Sequence, residues 1–262
     1  MGNELLAGKR GVVFGVANER SIAWACAQAC RDQGAELAFN YLGEAQEKRV
    51  KKLIESVPGA SCWPCDVSKD DEIAAFFAAV ETHWGRLDFL IHSVAYAERS
   101  DLAGTFVDTP RDNFKLALDI SAYSLVAVTR AAAPLMIEGG SVITMSYYGA
   151  EKVVPKYNVM GVAKAALEAS ARYLAYDLGP KNIRVNCISA GALRTLSSAA
   201  FPGFKQMLSI AEQNAPLRRN VTQEEVGKTA VYLLSDLASG VTGEVVHVDS
   251  GYNILGMFGA TE

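Results

Sequence analysis

The chain has 262 residues, of which 50% are hydrophobic and 21% are charged, and its formal net charge at pH 7 is −4. This size and composition predict a single globular domain over residues 1–262, with no linker or low-complexity run to divide it. A negative net charge gives no positively charged surface for a polyanion, so we expect no nucleic-acid partner.

Neither the N-terminus nor the apolar segments suggest a membrane partner. Residues 1–6 lack a basic region followed by a long apolar run. No apolar segment is expected to approach the roughly 20 residues that cross a bilayer. We therefore expect a cytoplasmic protein.

The five cysteines are an odd number in a long chain, which does not fit a disulfide framework. Cys62-Trp63-Pro64-Cys65 matches the redox pattern CxxC, but such motifs open a helix, and here the pattern lies on a predicted strand. The two side chains of such a strand point to opposite faces. No second pair of Cys or His residues has ligand spacing, so we predict no metal site.

Hydrophobic runs and chain breakers predict a regular alternation of buried strands and helices. The predicted strands are 11–15, 35–40, 61–66, 88–93, 140–146, 184–189 and 244–248. The predicted helices are 21–33, 46–56, 70–84, 111–136, 157–178 and 223–235. Apolar strands without clean alternation indicate a sheet covered on both faces, and helical crossovers indicate parallel pairing. The prediction is an α/β fold with a Rossmann-like, doubly wound, seven-stranded parallel sheet in the order 3-2-1-4-5-6-7.

Ligands of such sheets bind outside the carboxyl ends of the strands. After the first strand, Gly15 permits a tight turn beside a pyrophosphate, Ser21 can cap the next helix and donate to a phosphate, and Ala23 allows close packing on the sheet. The usual GxGxxG spacing is absent, and a glycine after a strand is often only a turn.

The ends of the second, third and fourth strands offer further candidates for a dinucleotide site. Asn40-Tyr41-Leu42 carries no cation for a 2′-phosphate, which favours NADH over NADPH. Asp66 could accept the adenine amino group with Val67 on the ring, or it could form the start of the following helix. Ser93 and Val94 could run beside the nicotinamide ribose, or they could form an ordinary strand-end turn.

Two tyrosines and a lysine follow the fifth strand. Tyr157 and Lys164 are seven residues apart, which on a helix is about two turns and places both on one face. Tyr147 lies ten residues before Tyr157. A nearby cation lowers the pKa of a phenol and improves it as a donor to a forming oxyanion. The alternative is a solvated helix face that carries the pair by chance.

A long stretch without strands, around residues 191–220, follows the sixth strand. Its predicted helical core, around Phe204–Asn214, has the length and apolar content of a lid over a hydrophobic substrate. An ordinary surface excursion is the alternative.

With these residues in place, the chain resembles the short-chain dehydrogenase/reductase superfamily and, within it, the bacterial-type NADH-dependent enoyl-[acyl-carrier-protein] reductases. The likeness covers essentially the full length. It rests on the following residues and runs: Gly15 through Ala23, Cys65-Asp66-Val67, His92-Ser93, Asp119-Ile120-Ser121, Ser146-Tyr147, Tyr157-Asn158-Val159-Met160-Gly161 through Ala166, Arg184-Val185-Asn186, Ser189-Ala190-Gly191, Arg194-Thr195 and Gly243-Glu244-Val245.

Spacing distinguishes this family within the superfamily. Typical members place the tyrosine four residues before the lysine, where this chain has Met160, and the phenol stands three residues earlier at Tyr157. Three residues correspond to about 4.5 Å of helix rise. Such a displacement suits a thioester carbonyl whose carbon lies two bonds from the carbon that accepts hydride, so the resemblance implies reduction of a carbon–carbon double bond.

The resemblance implies the roles of individual residues. Tyr157 would hold the enolate oxygen, Lys164 would bind the nicotinamide ribose, and Tyr147 would position the substrate or supply a proton. The implied NADH contacts are Gly15, Ser21, Ile22, Asp66, Val67, Ser93, Val94, Lys164, Leu193, Arg194, Thr195, Leu196 and Ser197. The implied substrate contacts are Ala97, Tyr147 and Tyr157. The implied partner is acyl-carrier protein carrying the enoyl thioester, and the implied assembly is a homotetramer.

Three functions remain open at this point. The first is enoyl reduction. The second is a ketone or alcohol oxidoreductase of the same fold, against which Met160 speaks. The third is a nucleotide-binding regulatory or scaffold protein without turnover, against which the Tyr157/Lys164 pair speaks.

Overall fold

The computed structural model describes residues 4–195, 198 and 203–257, and a seven-stranded sheet lies at its centre. The strand order is 3-2-1-4-5-6-7 and every pairing is parallel, which confirms the predicted topology. The strands are β1 (Arg10–Phe14), β2 (Glu36–Tyr41), β3 (Ser61–Pro64), β4 (Phe89–His92), β5 (Gly140–Ser146), β6 (Ile183–Ala190) and β7 (Val245–Val248). The third strand ends two residues earlier than predicted.

Helices cover both faces of this sheet, and neighbouring strand residues point to opposite faces. Val13 packs in one core, beneath α1 (Ile22–Arg31) and the helix Gln223–Leu234, whereas Val12 packs in the other, beneath the helices that follow β3, β4 and β5. Both valines are fully buried. This two-sided burial explains why the strand sequences lack a polar face.

The remaining helices agree with the predicted positions to within a few residues, apart from one added helix and the division of the predicted helix 111–136 into two. They are α2 (Gly43–Ile54), α3 (Asp70–Trp84), α4 (Arg99–Ala103), α5 (Arg111–Leu118), α6 (Ser124–Ala132), α7 (Asn158–Leu178), α8 (Phe204–Asn214) and α9 (Gln223–Leu234). The short α4 was not predicted, because five residues carry too little periodicity to reveal it. Tyr157 is the N-cap of α7 and not its first helical residue.

A π-helical turn, Asp119–Tyr123, interrupts the predicted helix 111–136 between α5 and α6. By length and hydropathy alone, the continuous stretch Arg111–Leu135 would qualify as a membrane span, so the expectation that no segment approaches that length is wrong. Half of the residues in its most apolar window are buried inside the protein, where Leu125 and Val128 belong to the core against the sheet. Its apolar composition is therefore explained by packing.

The cysteines are free thiols. Cys62 packs toward one core and Cys65 lies in the other, as expected of residues three apart across a strand and its end. Burial raises the pKa of both thiols. The CxxC pattern therefore has neither the shared face nor the acidic thiol of a redox motif.

Candidate active site

The turn after β1 approaches the end of β4 so closely that only glycine fits. Gly15 has φ +97°, and a Cβ at this position would lie 2.0 Å from the carbonyl oxygen of Ser93. The Gly15 N–H donates to Asn40 Oδ1 over 3.1 Å, and Asn40 Nδ2 donates to the carbonyl oxygen of Cys65 over 3.1 Å. One buried amide thus joins the carboxyl ends of three strands.

Asn40 was not among the predicted site residues. The sequence does contain a signal, because Asn40 directly follows the apolar run Leu37-Ala38-Phe39 on the same strand. An amide buried at the end of such a run requires hydrogen-bond partners. The partners it finds are the backbone groups that shape the nucleotide turn.

Helix α1 begins at this edge of the sheet, and its first turn contains no acidic residue. That arrangement favours an anion such as a pyrophosphate. Ser21 is the N-cap residue, but its hydroxyl donates to the carbonyl oxygen of Asn18 over 2.5 Å and does not cap the helix. The predicted capping role of its side chain is therefore wrong. Ile22 begins the helix and packs partly against the core.

Asp66 forms a local turn at the end of β3. Its Oδ1 atom accepts hydrogen bonds from the backbone N–H of Ser68 over 3.0 Å and from the Ser68 hydroxyl over 2.7 Å. Val67 packs partly against the core. The alternative reading, that Asp66 or Ser68 caps the following helix, is wrong, because the N-cap of α3 is Lys69. Asp66 instead forms the turn just before it.

The chain after β4 is held from the side of the π-helical turn. Val94 packs partly against the core, and the Ser121 hydroxyl accepts a hydrogen bond from the Tyr96 N–H over 2.8 Å and donates one to the Tyr96 carbonyl over 3.0 Å. This double contact fixes the backbone beside Ala97. Ser121 was part of the family motif, but its contact to this loop is visible only in three dimensions.

Tyr147 and Tyr157 meet at the carboxyl end of β5. Their rings contact edge to face, with centroids 4.9 Å apart and planes at 67°. Gly149 makes room for the Tyr157 ring, because a Cβ there would lie 2.4 Å from Tyr157 Cδ1. The Tyr147 hydroxyl donates to Met207 Sδ of α8 over 3.2 Å, so this helix covers the pair.

Burial controls the acidity of both phenols. It raises the pKa of Tyr157 well above the usual value, and the neighbouring Tyr147 raises it further. Burial likewise raises the pKa of Tyr147, and Tyr252 and Asp249 add to the effect. The expectation that the Lys164 cation would lower the phenol pKa is wrong for this structure. Both tyrosines are neutral hydrogen-bond donors at physiological pH.

Lys164 is a buried ammonium about two helical turns along α7 from Tyr157. Its side chain projects from the second turn of α7, and Nζ donates to the carbonyl oxygen of Met145 over 2.6 Å. Burial lowers its pKa from 10.5 to about 8, while Cys187 and Glu168 act in the opposite direction. An ammonium has three N–H donors, so a ligand with hydroxyl groups suits this site.

The loop after β6 reaches the turn around Arg20. Leu193 is buried, and Gln223 donates from one amide nitrogen to the carbonyl oxygens of Arg20 and Arg194. The Thr195 N–H donates to Ser198 Oγ over 2.7 Å. Leu196 and Ser197, also predicted as cofactor contacts, lie outside the described residues.

A cavity of about 520 Å³ lies between this loop and α8. Its described lining includes Arg20, Leu193, Arg194, Lys205, Leu208 and Gln223. Tyr147, Tyr157 and Lys164 are not among its lining residues, so this cavity does not contain the tyrosine pair.

Comparisons with known proteins agree with this geometry. A model of the family described as enoyl-(acyl carrier protein) reductase matches residues 15–253. An enoyl-[acyl-carrier-protein] reductase [NADH] of Rhizobium meliloti is 54% identical over 97% of this chain and 93% of its own length. One from Bacillus cereus is 54% identical over 97% of this chain and 100% of its own length.

Solved structures superpose over the same extent. The reductase of Anaplasma phagocytophilum in complex with NAD has a TM-score of 0.95 and 52% identity, and covers 98% of each chain. The Bacillus cereus reductase with NADP+ and indole naphthyridinone has a TM-score of 0.95 and 54% identity, covering 97% of this chain and 99% of its own. The chain belongs to the enoyl-[acyl-carrier-protein] reductase family, within the short-chain dehydrogenase/reductase superfamily.

Proposed function

We propose that the protein reduces the C2=C3 double bond of trans-2-enoyl-[acyl-carrier-protein] thioesters with NADH, the last reductive step of type II fatty-acid elongation. The observation that carries the proposal is the position of Tyr157, which lies seven residues before the buried Lys164 and against Tyr147. Met160 occupies the position of the tyrosine of ketone reductases, and it is buried with only 6% of its surface exposed.

The residues at the strand ends fit a dinucleotide. Gly15 lets the backbone after β1 pack closely against the end of β4. The N-terminus of α1 has no acidic side chain in its first turn, so it can bind an anion. The buried ammonium of Lys164 offers donors for hydroxyl groups. The absence of a cation in Asn40-Tyr41-Leu42 supports NADH as the cofactor.

When bound, NADH would supply the hydride for C3, which leaves negative charge on the thioester oxygen, and a proton taken up from solvent at C2 then completes the saturated thioester. The neutral Tyr157 hydroxyl donates a hydrogen bond to that oxygen, and a donor held by packing stabilises the forming enolate without reorganisation. Lys164 adds positive charge near the enolate and orients the ribose. Tyr147 positions the substrate, because the thioether sulfur of Met207 is a weak acceptor that its hydroxyl can exchange for a substrate oxygen.

We assign the other roles on the same grounds. The catalytic residues are Tyr147, Tyr157 and Lys164, and Ala97 is a further substrate contact. The NADH contacts are Gly15, Ser21, Ile22, Asp66, Val67, Ser93, Val94, Lys164, Leu193, Arg194, Thr195, Leu196 and Ser197. The chain forms one catalytic domain with a substrate-covering insert around 191–220, and Met207 of α8 over Tyr147 supports that covering role.

The proposed partner is acyl-carrier protein, and the proposed setting is a cytoplasmic homotetramer without membrane or nucleic acid. The acidic balance of the chain supports the absence of nucleic acid. The packing of Arg111–Leu135 inside the protein supports the absence of a membrane.

The experiment is NADH oxidation, followed at 340 nm, with an enoyl thioester and with a β-ketoacyl thioester of the same chain length. We expect turnover with the enoyl substrate only. Turnover with the ketone alone would refute the proposal in favour of a ketone reductase, and turnover with neither would favour a protein that binds the nucleotide without catalysis.

A further inference from the structure

Two residues with left-handed backbone conformations flank Tyr157. Lys156 has φ +68° and Asn158 has φ +43°. Positive φ is uncommon outside glycine, although asparagine tolerates it better than most residues. Such conformations persist where surrounding contacts compensate their cost, and they cluster at functional sites. The contacts of these two side chains therefore indicate which interactions stabilise the left-handed backbone on either side of Tyr157.

Both side chains bind the same short stretch of backbone. Asn158 Nδ2 donates to the carbonyl oxygens of Asp101 over 2.7 Å and Gly104 over 3.2 Å. Lys156 Nζ donates to the carbonyl oxygens of Ala103 over 2.9 Å and Gly104 over 3.4 Å. These acceptors form the C-terminal end of α4, where helix carbonyls lack partners within the helix and where a cation is favoured.

The stretch that they bind belongs to a segment that contains Ala97, the proposed substrate contact. We name residues 96–104 the pocket-wall segment, because it starts next to Ala97 and includes α4. Ser121 holds its first residue, Tyr96, through both backbone groups. Within the segment, Asp101 is 95% buried and its Oδ1 atom accepts from Asn113 Nδ2 over 3.1 Å. The contacts from Lys156 and Asn158 complete the attachment at its far end.

We propose that Asn158, assisted by Lys156, is a positioning residue that clasps the pocket-wall segment to the turn carrying Tyr157. The phenol and the wall of the acyl pocket then form one rigid unit, so that a bound thioester meets the hydroxyl in a fixed geometry. This inference rests on the proposed function for its catalytic consequence. The attachment of α4 itself does not depend on that function.

The test compares Asn158→Gly with wild type. Glycine keeps the left-handed backbone and removes only the amide, so the fold is retained. The matched control is Asn182→Gly, since Asn182 is an exposed residue with φ +57° that caps a short helix far along the chain. Hydrogen exchange is measured on peptides covering residues 98–105, and steady-state kinetics are measured with NADH and an enoyl thioester.

In Asn158→Gly we expect faster exchange across residues 98–105 and about tenfold lower kcat with the enoyl thioester, because small misplacement of reacting groups is costly. The KM for NADH should stay within about twofold of wild type, since this change removes no cofactor contact. A general loss of structure would instead raise exchange throughout the chain. Asn182→Gly should match wild type in both measurements.

Lys156→Met supplies a second variant, with a smaller effect in the same direction. Unchanged exchange in Asn158→Gly would overturn the clasp, and faster exchange with unchanged kcat would overturn the coupling to Tyr157. If wild type failed to reduce an enoyl thioester, the proposed function would fall, whereas the exchange measurement would still decide whether Asn158 holds α4.

Discussion

The ring of Tyr147 meets the ring of Tyr157 edge to face, with 4.9 Å between their centroids. The first tyrosine follows β5 and the second caps α7, so this contact joins the sheet edge to the helix that carries Lys164. Burial raises the pKa of both phenols. The site therefore offers neutral phenol donors, with a buried ammonium about two turns further along α7, and such donors stabilise an oxyanion through hydrogen bonds and not through proton loss by tyrosine.

Replacing Tyr157 with Phe removes the donor and keeps the ring. We expect kcat for the enoyl thioester to fall by about 10²- to 10³-fold, the usual cost of losing one oxyanion donor. The dissociation constant of NADH, measured by fluorescence titration, should stay near wild type. Loss of NADH binding would show that Tyr157 serves the cofactor and not the substrate.

Gly149 should be sensitive to a single added methyl group. In Gly149→Ala the new Cβ would lie 2.4 Å from Tyr157 Cδ1, so the ring has to move. We expect about 10²-fold lower kcat from the displaced phenol, with the protein still folded by circular dichroism. Gly240→Ala is the control, because nothing lies within 4 Å of its Cβ and its φ is not in the left-handed range. Equal activity of both variants would contradict the packing argument.

The charge of Lys164 predicts how NADH use depends on pH. Its pKa is lowered to about 8, so the free enzyme carries the ammonium below pH 8 and loses it above. The kcat/KM for NADH should therefore fall as the pH rises through about 8, and Lys164→Met should give a low and flat profile.

Unfolding cannot produce the same profile. The pKa of Lys164 is lower in the folded chain than its usual 10.5, so the cost of burying the charge is complete below pH 8 and disappears toward pH 10.5. This group therefore opposes folding less as the pH rises through that window, so its effect on stability runs opposite to the change in kcat/KM. A profile that stayed flat in wild type would contradict the role of the ammonium.

His92 predicts acid sensitivity. Its Nε2 atom lies 2.8 Å from the Ser124 hydroxyl, and that hydroxyl donates its own proton to the Ile120 carbonyl. Ser124 must therefore accept from Nε2, which carries the ring proton. The other ring nitrogen, Nδ1, accepts from Thr144 Oγ1 over 2.9 Å. Burial, together with the nearby Lys164 charge, lowers its pKa from 6.5 to about 3. The histidine is thus neutral in the fold.

Between pH 6.5 and about 3, His92 is protonated in the unfolded chain but stays neutral in the folded one. The free energy of unfolding therefore decreases as the pH falls through this window. The contribution is roughly 1 kcal/mol per pH unit. Urea unfolding at pH 6.5 and 5.5 should show a smaller decrease for His92→Gln than for wild type. Identical decreases would mean that other groups account for the acid sensitivity.

Much of the fold could be predicted because its signals are local. Buried runs between helical patterns gave the strand order, and α3 and α8 begin and end at the predicted residues. The acidic residues Asp70, Asp71 and Glu72 in the first turn of α3 and the left-handed Gly85 after its last residue are strong boundary signals.

The features that escaped prediction depend on contacts between distant residues. The π-helical turn has no hydrophobic pattern that distinguishes it from the α-helices on either side. The Ser21 hydroxyl donates to the Asn18 carbonyl instead of capping α1. The bridge from Asn40 to Gly15 and the left-handed backbone of Asn158 each require a partner more than 20 residues away. The tyrosine pair and the lysine were predictable, whereas the groups that hold them in place were not.

The central claim is that hydride reaches C3 while Tyr157 holds the thioester oxygen. It is tested most directly by mass spectrometry of the product formed from a trans-2-enoyl thioester and NADH deuterated at both C4 positions. We expect a saturated acyl thioester with one deuterium at C3. Deuterium at C1 or C2, or in an alcohol product that retains the double bond, would contradict it.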